Sequence, residues 1–268
     1  NKSAPQKVIN YEVNRIRLKM NPHPAGQMER NRPLWQGGKL RGIQHKYLET
    51  VLFSPSREQT CHAYCTFCFR WPQFSGISRL KMAENETKNL VDYVSSHPEI
   101  TDILITGGDP LIMKTNLLQK IIYPLLVNKL KHVQNIRIGT KVLSYWPYRF
   151  LTDNDASDLL QLFRLVNHSG KRLALMAHIN HYQELQTTAV KQAVNRILET
   201  GTQIRTQAPI LRNINDSANI WKKMWKQQVK MGMISYYLFI PRNTGAQHYF
   251  ALPLIEALRV FRLSYTQV

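Results

Sequence analysis

The chain has 268 residues, 43% of them hydrophobic, with only 12 glycines and 13 prolines, a composition that excludes a disordered or fibrous protein. This length allows one α/β barrel or two small domains. The formal net charge of +19 is typical of proteins whose partner is an anionic ligand, an acidic membrane surface or nucleic acid. No apolar run is long enough to cross a membrane and the first residues lack a signal-peptide core, so we expect a protein of the cytoplasm.

Lysine and arginine are spread along the whole chain instead of forming one block. They are densest before residue 47 and in a late predicted helix, which contains Lys222, Lys223, Lys226 and Lys230. Charge that is dispersed in this way is compatible with binding an anionic partner, but it does not identify a binding site. A basic surface that is simply exposed to solvent explains it equally well. Nucleic acid is therefore a possible partner, but it is not the favoured one.

Residues 1–46 are predicted to form an N-terminal, mainly helical extension. Four apolar residues give an irregular helical pattern there: Val8, Tyr11, Ile16 and Leu18. Two prolines in the segment 21–24 end this pattern, and the pair Gly37-Gly38 indicates a flexible joint. We expect the main domain to occupy residues 47–268.

From residue 47 onward, predicted strands and helices alternate. The six predicted strands are the apolar segments 51–53, 102–106, 136–141, 172–179, 203–208 and 235–240. The six predicted helices cover 84–97, 115–130, 156–167, 187–199, 217–230 and 252–263. This alternation predicts an α/β fold in which helical crossovers join parallel strands. Periodicity leaves open a partly closed barrel and an open doubly wound sheet, and in both the ligands bind beyond the carboxyl ends of the strands.

Several predicted helices have recognisable end signals. Pro124 is expected to kink the second helix of the series. The segment 152–155, Thr-Asp-Asn-Asp, resembles a capping box ahead of the third. Glycine follows three of the helices, as Gly170, Gly201 and Gly232, and is expected to end them.

All three cysteines of the chain lie in one short segment, as Cys61, Cys65 and Cys68. An odd, clustered set of cysteines argues against a disulfide framework. Three thiolates that converge on one inorganic centre leave one coordination position open, and chemistry takes place at such a position. An iron–sulfur site with an open position is favoured over a redox dithiol of Cys65 and Cys68, a zinc site completed by His62, and chance clustering.

The sequence Gly107-Gly108-Asp109 directly follows the second predicted strand. Two glycines let backbone groups approach a ligand closely, and polar groups beside them can accept hydrogen bonds from an ammonium group. The same sequence is also a common plain turn. Because the cysteine segment and this turn both follow parallel strands, we expect them at the same end of the sheet.

The C-x₃-C-x₂-C spacing resembles that of the radical S-adenosylmethionine (SAM) enzymes, and a resemblance to their lysine 2,3-aminomutase branch extends over most of residues 43–245. The shared segments keep their order along the chain: Cys68-Phe69-Arg70, Ile105 to Leu111, Ile136 to Thr140, Ala177 to His181, Thr206 to Arg212, Ile214-Asn215-Asp216 and Tyr236-Tyr237. The resemblance implies a partial (β/α)6 barrel of parallel strands. It also implies an isomerase that cleaves SAM reductively to start hydrogen abstraction.

By this resemblance, the three cysteines hold a [4Fe–4S] cluster whose fourth iron binds the amino and carboxylate groups of SAM. An electron passed into the sulfonium would release methionine and a 5′-deoxyadenosyl radical. Phe67 would pack near the adenine, and the turn of Gly107, Gly108 and Asp109 would receive the amino group. Further SAM contacts are implied for three residues at strand ends, Thr106, His178 and Gln207. Each of them also has a purely structural explanation: Thr106 as the end of a strand, His178 as a buried histidine with its hydrogen bonds satisfied, and Gln207 as an amide of the core.

The resemblance assigns Arg70 to the substrate carboxylate, a role that suits a planar guanidinium. Arg242 aligns with an aspartate that receives the distal ammonium of lysine in the aminomutases. This reversal of charge predicts a substrate other than lysine, with an acidic one favoured. The aminomutases bind pyridoxal phosphate (PLP) through a lysine in a glycine-rich segment beyond the barrel, and no Gly-Gly-Gly-Lys segment occurs in this chain, which leaves the use of PLP open.

We therefore expect an aminomutase-like rearrangement of a small amino acid substrate. An electron donor such as flavodoxin or ferredoxin and a homo-oligomeric assembly are further expectations. One alternative is a radical SAM enzyme that works without PLP on another metabolite or on RNA. The other is a basic nucleic-acid-binding module with a structural metal, for which the sequence offers no fourth cysteine.

Overall fold

A seven-stranded sheet organises the chain in the computed structural model, which describes residues 4–20, 30–55, 60–71, 87–241, 246–266 and 268. Two short strands, β1 (Leu34–Trp35) and β2 (Gly38–Lys39), form a separate antiparallel hairpin. The strands of the large sheet are β3 (Ile43–Tyr47), β4 (Thr50–Phe53), β5 (Asp102–Ile105), β6 (Asn135–Thr140), β7 (Arg172–His178), β8 (Gln203–Pro209) and β9 (Ile234–Phe239). They lie side by side in this same order.

Helices follow most of the strands. They are α1 (Gln6–Met20), α2 (Thr87–Ser95), α3 (Thr115–Ile122), α4 (Val142–Tyr145), α5 (Ala156–His168), α6 (Thr188–Leu198), α7 (Ala218–Lys230), α8 (Gln247–Phe250) and α9 (Leu254–Tyr265). In the part of the chain that the structure describes, no helix combines the length and the apolar character needed to cross a membrane.

Strands β4 to β9 are all parallel, and each corresponds to one of the six predicted strands. The sheet curls into a half-barrel, which confirms the predicted α/β partial barrel. Strand β3 adds an antiparallel edge beside β4. The sheet thus begins at Ile43, inside the predicted extension, and the division of the chain between residues 46 and 47 stays a prediction.

The middle of the sheet forms the core of the protein. In β7, five consecutive residues from Leu173 to Ala177 are at most 2% exposed. A strand buried on both faces is typical of a parallel sheet that is covered by its crossover helices. The helices supply one apolar face each, as shown by Leu159, Phe163 and Val166 of α5, which are fully buried at helical spacing.

Gly37 and Gly38 lie in a tight hairpin, in contrast to the flexible joint expected from the sequence. Leu34 pairs with Lys39 and Trp35 with Gly38, so the loop consists of Gln36 and Gly37 alone. Both loop residues have positive φ angles, 49° and 82°. These are the angles of a type I′ turn, whose twist matches that of the paired strands.

The second main-domain helix, predicted over residues 115–130 with a kink at Pro124, ends before the proline. Helix α3 ends at Ile122, and a short 3₁₀ helix (Tyr123–Leu126) takes the chain past the proline. Glycine residues with φ near +80° follow α5, α6 and α7, as predicted for Gly170, Gly201 and Gly232. At such angles glycine avoids the steric cost that a side chain would bring.

The capping box expected at the start of α5 is wrong. Asp155 occupies the N-cap position, but its side chain does not cap the helix. The carboxylate instead accepts hydrogen bonds from Thr115 N at 2.7 Å and Arg149 Nη1 at 2.6 Å. Arg149 is 1% exposed and also donates to the carbonyls of Leu111 and Met113, both at 3.0 Å. The buried guanidinium of Arg149 thus joins the loop after β5 to the starts of α3 and α5.

Replacing Asp155 by alanine should destabilise the fold, because Arg149 would keep its charge in a buried place without its closest partner. We expect a loss of roughly 2–3 kcal/mol in the free energy of unfolding, measured by urea denaturation. Asp158→Ala is the matched control, since Asp158 lies on the exposed side of the same helix. Equal effects of the two substitutions would contradict the role of Asp155.

The same carboxylate should give the stability a pH dependence. Burial opposes the charged form of Asp155, but hydrogen bonds from Thr115 and Arg149 outweigh burial and lower its pKa. Asp155 therefore makes its full contribution to the free energy of unfolding above the pKa of an aspartate in the unfolded chain, about 3.9. This contribution is lost as the pH falls through the lower pKa that Asp155 has in the folded protein. Unfolding curves of the wild-type protein and Asp155→Ala should therefore converge at acid pH.

Candidate active site

The segments predicted to be functional meet at the carboxyl ends of parallel strands. The cysteine loop, residues 60–71, follows β4, and the glycine turn, Gly107-Gly108-Asp109, follows β5. Thr106 N donates to Phe53 O at 2.8 Å, so the two segments leave the sheet side by side. His178 ends β7 and is the direct partner of Gln207 near the end of β8.

All three thiols of the cysteine loop are free and half-buried. Burial raises the pKa of each thiol, that of Cys65 to about 12. The nearby sulfurs of Cys61 and Cys68 also raise the pKa of Cys65, which indicates that the three thiols lie close together. Three thiolates in such a place need a positive centre to offset their repulsion.

Backbone N–H groups of the loop approach two of the sulfurs and oppose the rise in the pKa of those thiols that burial causes. The donors are Ala63 and Tyr64 for Cys61, and Arg70 and Trp71 for Cys68. Hydrogen bonds to cysteine sulfur stabilise thiolates and tune iron–sulfur centres. The donor set of the loop therefore fits an iron–sulfur cluster held by three cysteines.

His62 has surroundings other than those of a metal ligand. Its ring lies 6.2 Å from the rings of both Tyr145 and Trp146. Within the described ranges, no group of three or more His, Cys, Asp or Glu side chains, the three cysteines included, is arranged to hold a single metal ion.

The glycine turn and the cysteine loop form one backbone unit. Asp109 N donates to Thr60 O at 2.9 Å. A Cβ atom added to Gly108 would lie 1.9 Å from that same carbonyl oxygen, far inside any allowed contact. Gly107 has a φ of 144°, which a side chain would also disfavour. Both glycines are therefore needed for the two segments to meet.

The carboxylate of Asp109 is buried and hydrogen-bonded within the protein. One oxygen accepts from Thr140 Oγ1 at 2.7 Å and Leu111 N at 3.1 Å, and the other accepts from Lys141 N at 2.6 Å. Burial raises the pKa of Asp109, although these hydrogen bonds act against the rise. The side chain joins the ends of β5 and β6, and a contact of the turn with the SAM amino group stays a prediction.

Phe67 brings the cysteine loop against the far strands. Its ring centre lies 5.8 Å from that of His178 and 5.8 Å from that of Phe250, in edge-to-face arrangements. Burial, together with the charge of Lys141, lowers the pKa of His178 to about 3, so its imidazole is neutral. The β8–β9 register shifts at Gln207, whose partner is Tyr237. Such irregularities are frequent beside active sites.

Arg70 and Arg242 are the predicted substrate residues. The Arg70 guanidinium is half-buried, lies 5.2 Å from the ring centre of Phe69 and is close enough to Cys68 to interact with its charge. Arg242 lies outside the described residues. Their roles toward a substrate therefore remain predictions.

Sequence reasoning missed a buried ion pair beside the site. Lys141 Nζ donates to Glu184 Oε2 at 2.7 Å and to the carbonyl of His178 at 3.2 Å. The Lys141 side chain is 4% exposed, and its charge opposes the rise in the pKa of Cys61 and Cys65 that burial causes. A lysine directly after an apolar strand was the available signal, since it stands at the binding edge of a parallel sheet.

Comparisons with known proteins agree with these motifs. The chain is 38% identical over 221 residues to a putative L-lysine 2,3-aminomutase of Aquifex aeolicus, covering 82% of this chain and 56% of that protein. It is 31% identical over 224 residues to the L-lysine 2,3-aminomutase of Bacillus subtilis, covering 81% and 44% of the two chains. The chain belongs to the lysine 2,3-aminomutase family of the radical SAM superfamily. It spans about half the length of these curated relatives.

The fold of this family member agrees with solved radical SAM structures. A radical SAM methyltransferase from Sphaerobacter thermophilus superimposes with a TM-score of 0.52 at 12% sequence identity. The match covers 84% of this chain and 66% of the methyltransferase, and at this identity it supports the fold alone. No protein-family model matches the chain.

Gly108→Ala should disturb the cysteine loop, because the new methyl group would collide with the backbone of Thr60. We expect a loss of stability of roughly 1–3 kcal/mol and a marked fall in the iron and sulfide bound after anaerobic reconstitution. Gly139→Ala is the control, since its Cβ would have only an ordinary contact, 3.6 Å from Thr106 Oγ1. Wild-type iron content in Gly108→Ala would contradict the proposed junction.

Proposed function

We propose that this chain is a radical SAM enzyme that starts an aminomutase-like rearrangement of an amino acid other than lysine. The observation that carries the proposal is the junction of the cysteine loop with the glycine turn through Thr60, Gly108 and Asp109. This junction brings the three cysteines and the glycine turn to the same end of a partial barrel. Family membership supports the same chemistry.

Cys61, Cys65 and Cys68 would hold a [4Fe–4S] cluster and leave one iron free for SAM. When bound, the cluster supplies the electron that cleaves the sulfonium of SAM and releases a 5′-deoxyadenosyl radical. Backbone N–H groups would add hydrogen bonds to two of the three sulfurs. The loop sets the positions of its ligands through a turn in which Cys68 N donates to Cys65 O at 3.0 Å.

The remaining site residues would bind and orient SAM. Phe67 and His178 supply an aromatic wall next to the cysteine loop. His178 stays neutral because burial lowers its pKa to about 3, so it adds no positive charge beside the sulfonium. Thr106 directly follows β5, Gln207 lies near the end of β8, and both would add polar contacts.

The substrate is proposed to be an amino acid, with an acidic one favoured. Arg70 would hold its carboxylate, a role supported by the place of this guanidinium directly beyond Cys68. Arg242 would receive a distal anionic group, since it replaces the aspartate that faces an ammonium in the aminomutases. The use of PLP stays open, because the chain spans about half the length of its curated relatives. A low-potential protein such as flavodoxin or ferredoxin would deliver the electron.

Reduction of the reconstituted protein should cleave SAM. We expect 5′-deoxyadenosine to accumulate when SAM and dithionite are added without oxygen, as measured by liquid chromatography. Cys65→Ala should abolish this product together with the cluster absorbance, because two thiolates cannot hold the cluster in its open-iron form. Thr66→Ala is the matched control, since Thr66 is exposed in the same loop and leaves the cysteines intact. A wild-type protein that binds iron without cleaving SAM would refute the enzyme proposal.

Arg242→Asp should change which amino acid gives up a hydrogen atom. Deuterated glutamate, aspartate and lysine can be compared by the deuterium that each transfers to 5′-deoxyadenosine. We expect the wild type to prefer an acidic amino acid, and the variant to shift toward lysine by about tenfold or more. Lys226→Asp makes the same change in net charge on the exposed face of α7 and should leave the preference unaltered. An unchanged preference in Arg242→Asp would exclude this residue from substrate selection.

A further inference from the structure

Arg205 is a charged residue on the concave face of the half-barrel, the face opposite the crossover helices. Its neighbours in β8 show this orientation. Ile204 is fully buried in the core, and the hydroxyl of Thr206 donates to Gln228 Oε1 of α7 at 2.8 Å. Because successive side chains of a strand point to opposite faces, Arg205 points away from the helices. Gln207, a residue of the candidate active site, faces the same side about 7 Å further along the strand.

A second arginine on the concave face already has an ionic partner. Arg137 of β6 pairs with Ala174 of β7, which pairs with Gln203 of β8, so its side chain shares the face of Gln203. Its Nε donates to Asp102 Oδ1 at 2.9 Å, and its Nη2 donates to the other carboxylate oxygen. Thr50 Oγ1 donates to that second oxygen at 3.1 Å. Both oxygens of Asp102 are thus occupied, and its pair with Arg137 is electrically neutral.

Neutral groups hold the guanidinium of Arg205 in position. Its Nε and Nη2 donate to Gln203 Oε1 at 3.1 and 2.8 Å, and its guanidinium carbon lies 5.2 Å from the centre of the Tyr236 ring. Among the described residues, Arg205 has no carboxylate partner, and its Nη1 makes no hydrogen bond. The edge of the guanidinium that Nη1 and Nη2 form is therefore available. Such an edge fits a carboxylate or a phosphate group.

Partly exposed aromatic rings stand beside this cation at the edge of the sheet. Tyr237 pairs with Gln207 and so faces the same side of the sheet. The ring centres of Tyr236 and Phe239 lie 4.3 and 5.2 Å from that of Tyr237. These three aromatic residues are 42–43% exposed, so the described residues leave space next to the Arg205 guanidinium. Aromatic walls with a fixed charged group are typical of sites for small polar ligands.

We propose that Arg205 receives the distal oxyanion of the substrate, a carboxylate or a phosphate group, through its Nη1 and Nη2 atoms. The inference rests on the proposed function, because it concerns the acidic substrate of the same site. Gln203 and Tyr236 fix the guanidinium without neutralising it, so its charge is left for a ligand. Arg205 is thereby assigned as a residue that determines substrate specificity.

Pairs of ligands that differ in their distal group test this assignment. Glutamate is compared with glutamine, and phosphoserine with serine, by calorimetry on the cluster-loaded protein with SAM but without reductant. Both members of a pair have the same amino-acid end, so their contacts with Arg70 cancel. We expect the wild type to bind one of the two anionic ligands at least about tenfold more tightly than its neutral counterpart. The pair that shows this preference distinguishes a carboxylate from a phosphate.

Arg205→Met should reduce that preference to about twofold or less, because it removes the charge and keeps an apolar stem. Arg164→Met removes the same charge from the exposed face of α5 and should keep the wild-type preference. Gln203→Glu should lower the preference about tenfold, because the new carboxylate would occupy the guanidinium. Melting temperatures show which variants are folded, and Gln203→Glu decides alone if Arg205→Met does not fold. A wild-type preference in the folded variants of Arg205 and Gln203 would overturn the inference.

The two proposals can fail separately. If the wild type cleaves SAM and prefers an anionic ligand while Arg205→Met keeps that preference, only the role of Arg205 is lost. If the wild type cleaves SAM but prefers neither anionic ligand, this inference and the acidic substrate both fall, and the radical chemistry stands. If the cluster-loaded wild type does not cleave SAM, the proposed function falls, whereas a preference that depends on Arg205 still supports the oxyanion site.

Discussion

The contact between the carbonyl of Thr60 and the glycine turn is the constraint on which the site depends. The oxygen lies 1.9 Å from the position that a Cβ of Gly108 would take, so only glycine is tolerated there. The same oxygen accepts the N–H of Asp109, whose carboxylate binds Thr140 and the backbone of Lys141. A single close approach thus ties the cysteine loop to β5 and, through Asp109, to β6. Displacing this backbone contact would move both segments together.

The Lys141–Glu184 ion pair extends the same connection to β7. Its members join the carbonyl of His178 to the N–H of Asn180. Buried ion pairs add little net stability, because the cost of removing charges from water offsets most of their attraction. Removing one partner nevertheless lowers the free energy of unfolding strongly, because it leaves an unpaired charge in the interior. The pair therefore fixes the local geometry without making the fold much more stable. The pair thereby positions the backbone of residues 178–180 at the carboxyl end of β7.

The sequence predicted the scaffold better than the contacts within the site. Apolar strands bounded by Gly and Pro fixed the six parallel strands, and motifs placed after them were bound to lie at one edge of the sheet. The partners of side chains were not predictable in this way. Asp155 resembled a helix cap, yet its donor Thr115 lies 40 positions earlier in the chain. Lys141 and Glu184 are 43 positions apart, and no local pattern in the sequence links them.

The electrostatics of the cysteine loop explain why its ligand set needs support from outside the loop. Burial raises the pKa of all three thiols, so the protein alone does not favour three thiolates in this place. The charge of Lys141 opposes the rise for Cys61 and Cys65, and that of Arg70 opposes it for Cys68. A metal centre inverts this balance, because iron stabilises thiolates far more than a distant ammonium can. With a cluster bound, the cations and backbone N–H groups would act on thiolates that iron keeps deprotonated. They would then change how readily the cluster accepts an electron, because nearby positive charge favours the reduced state.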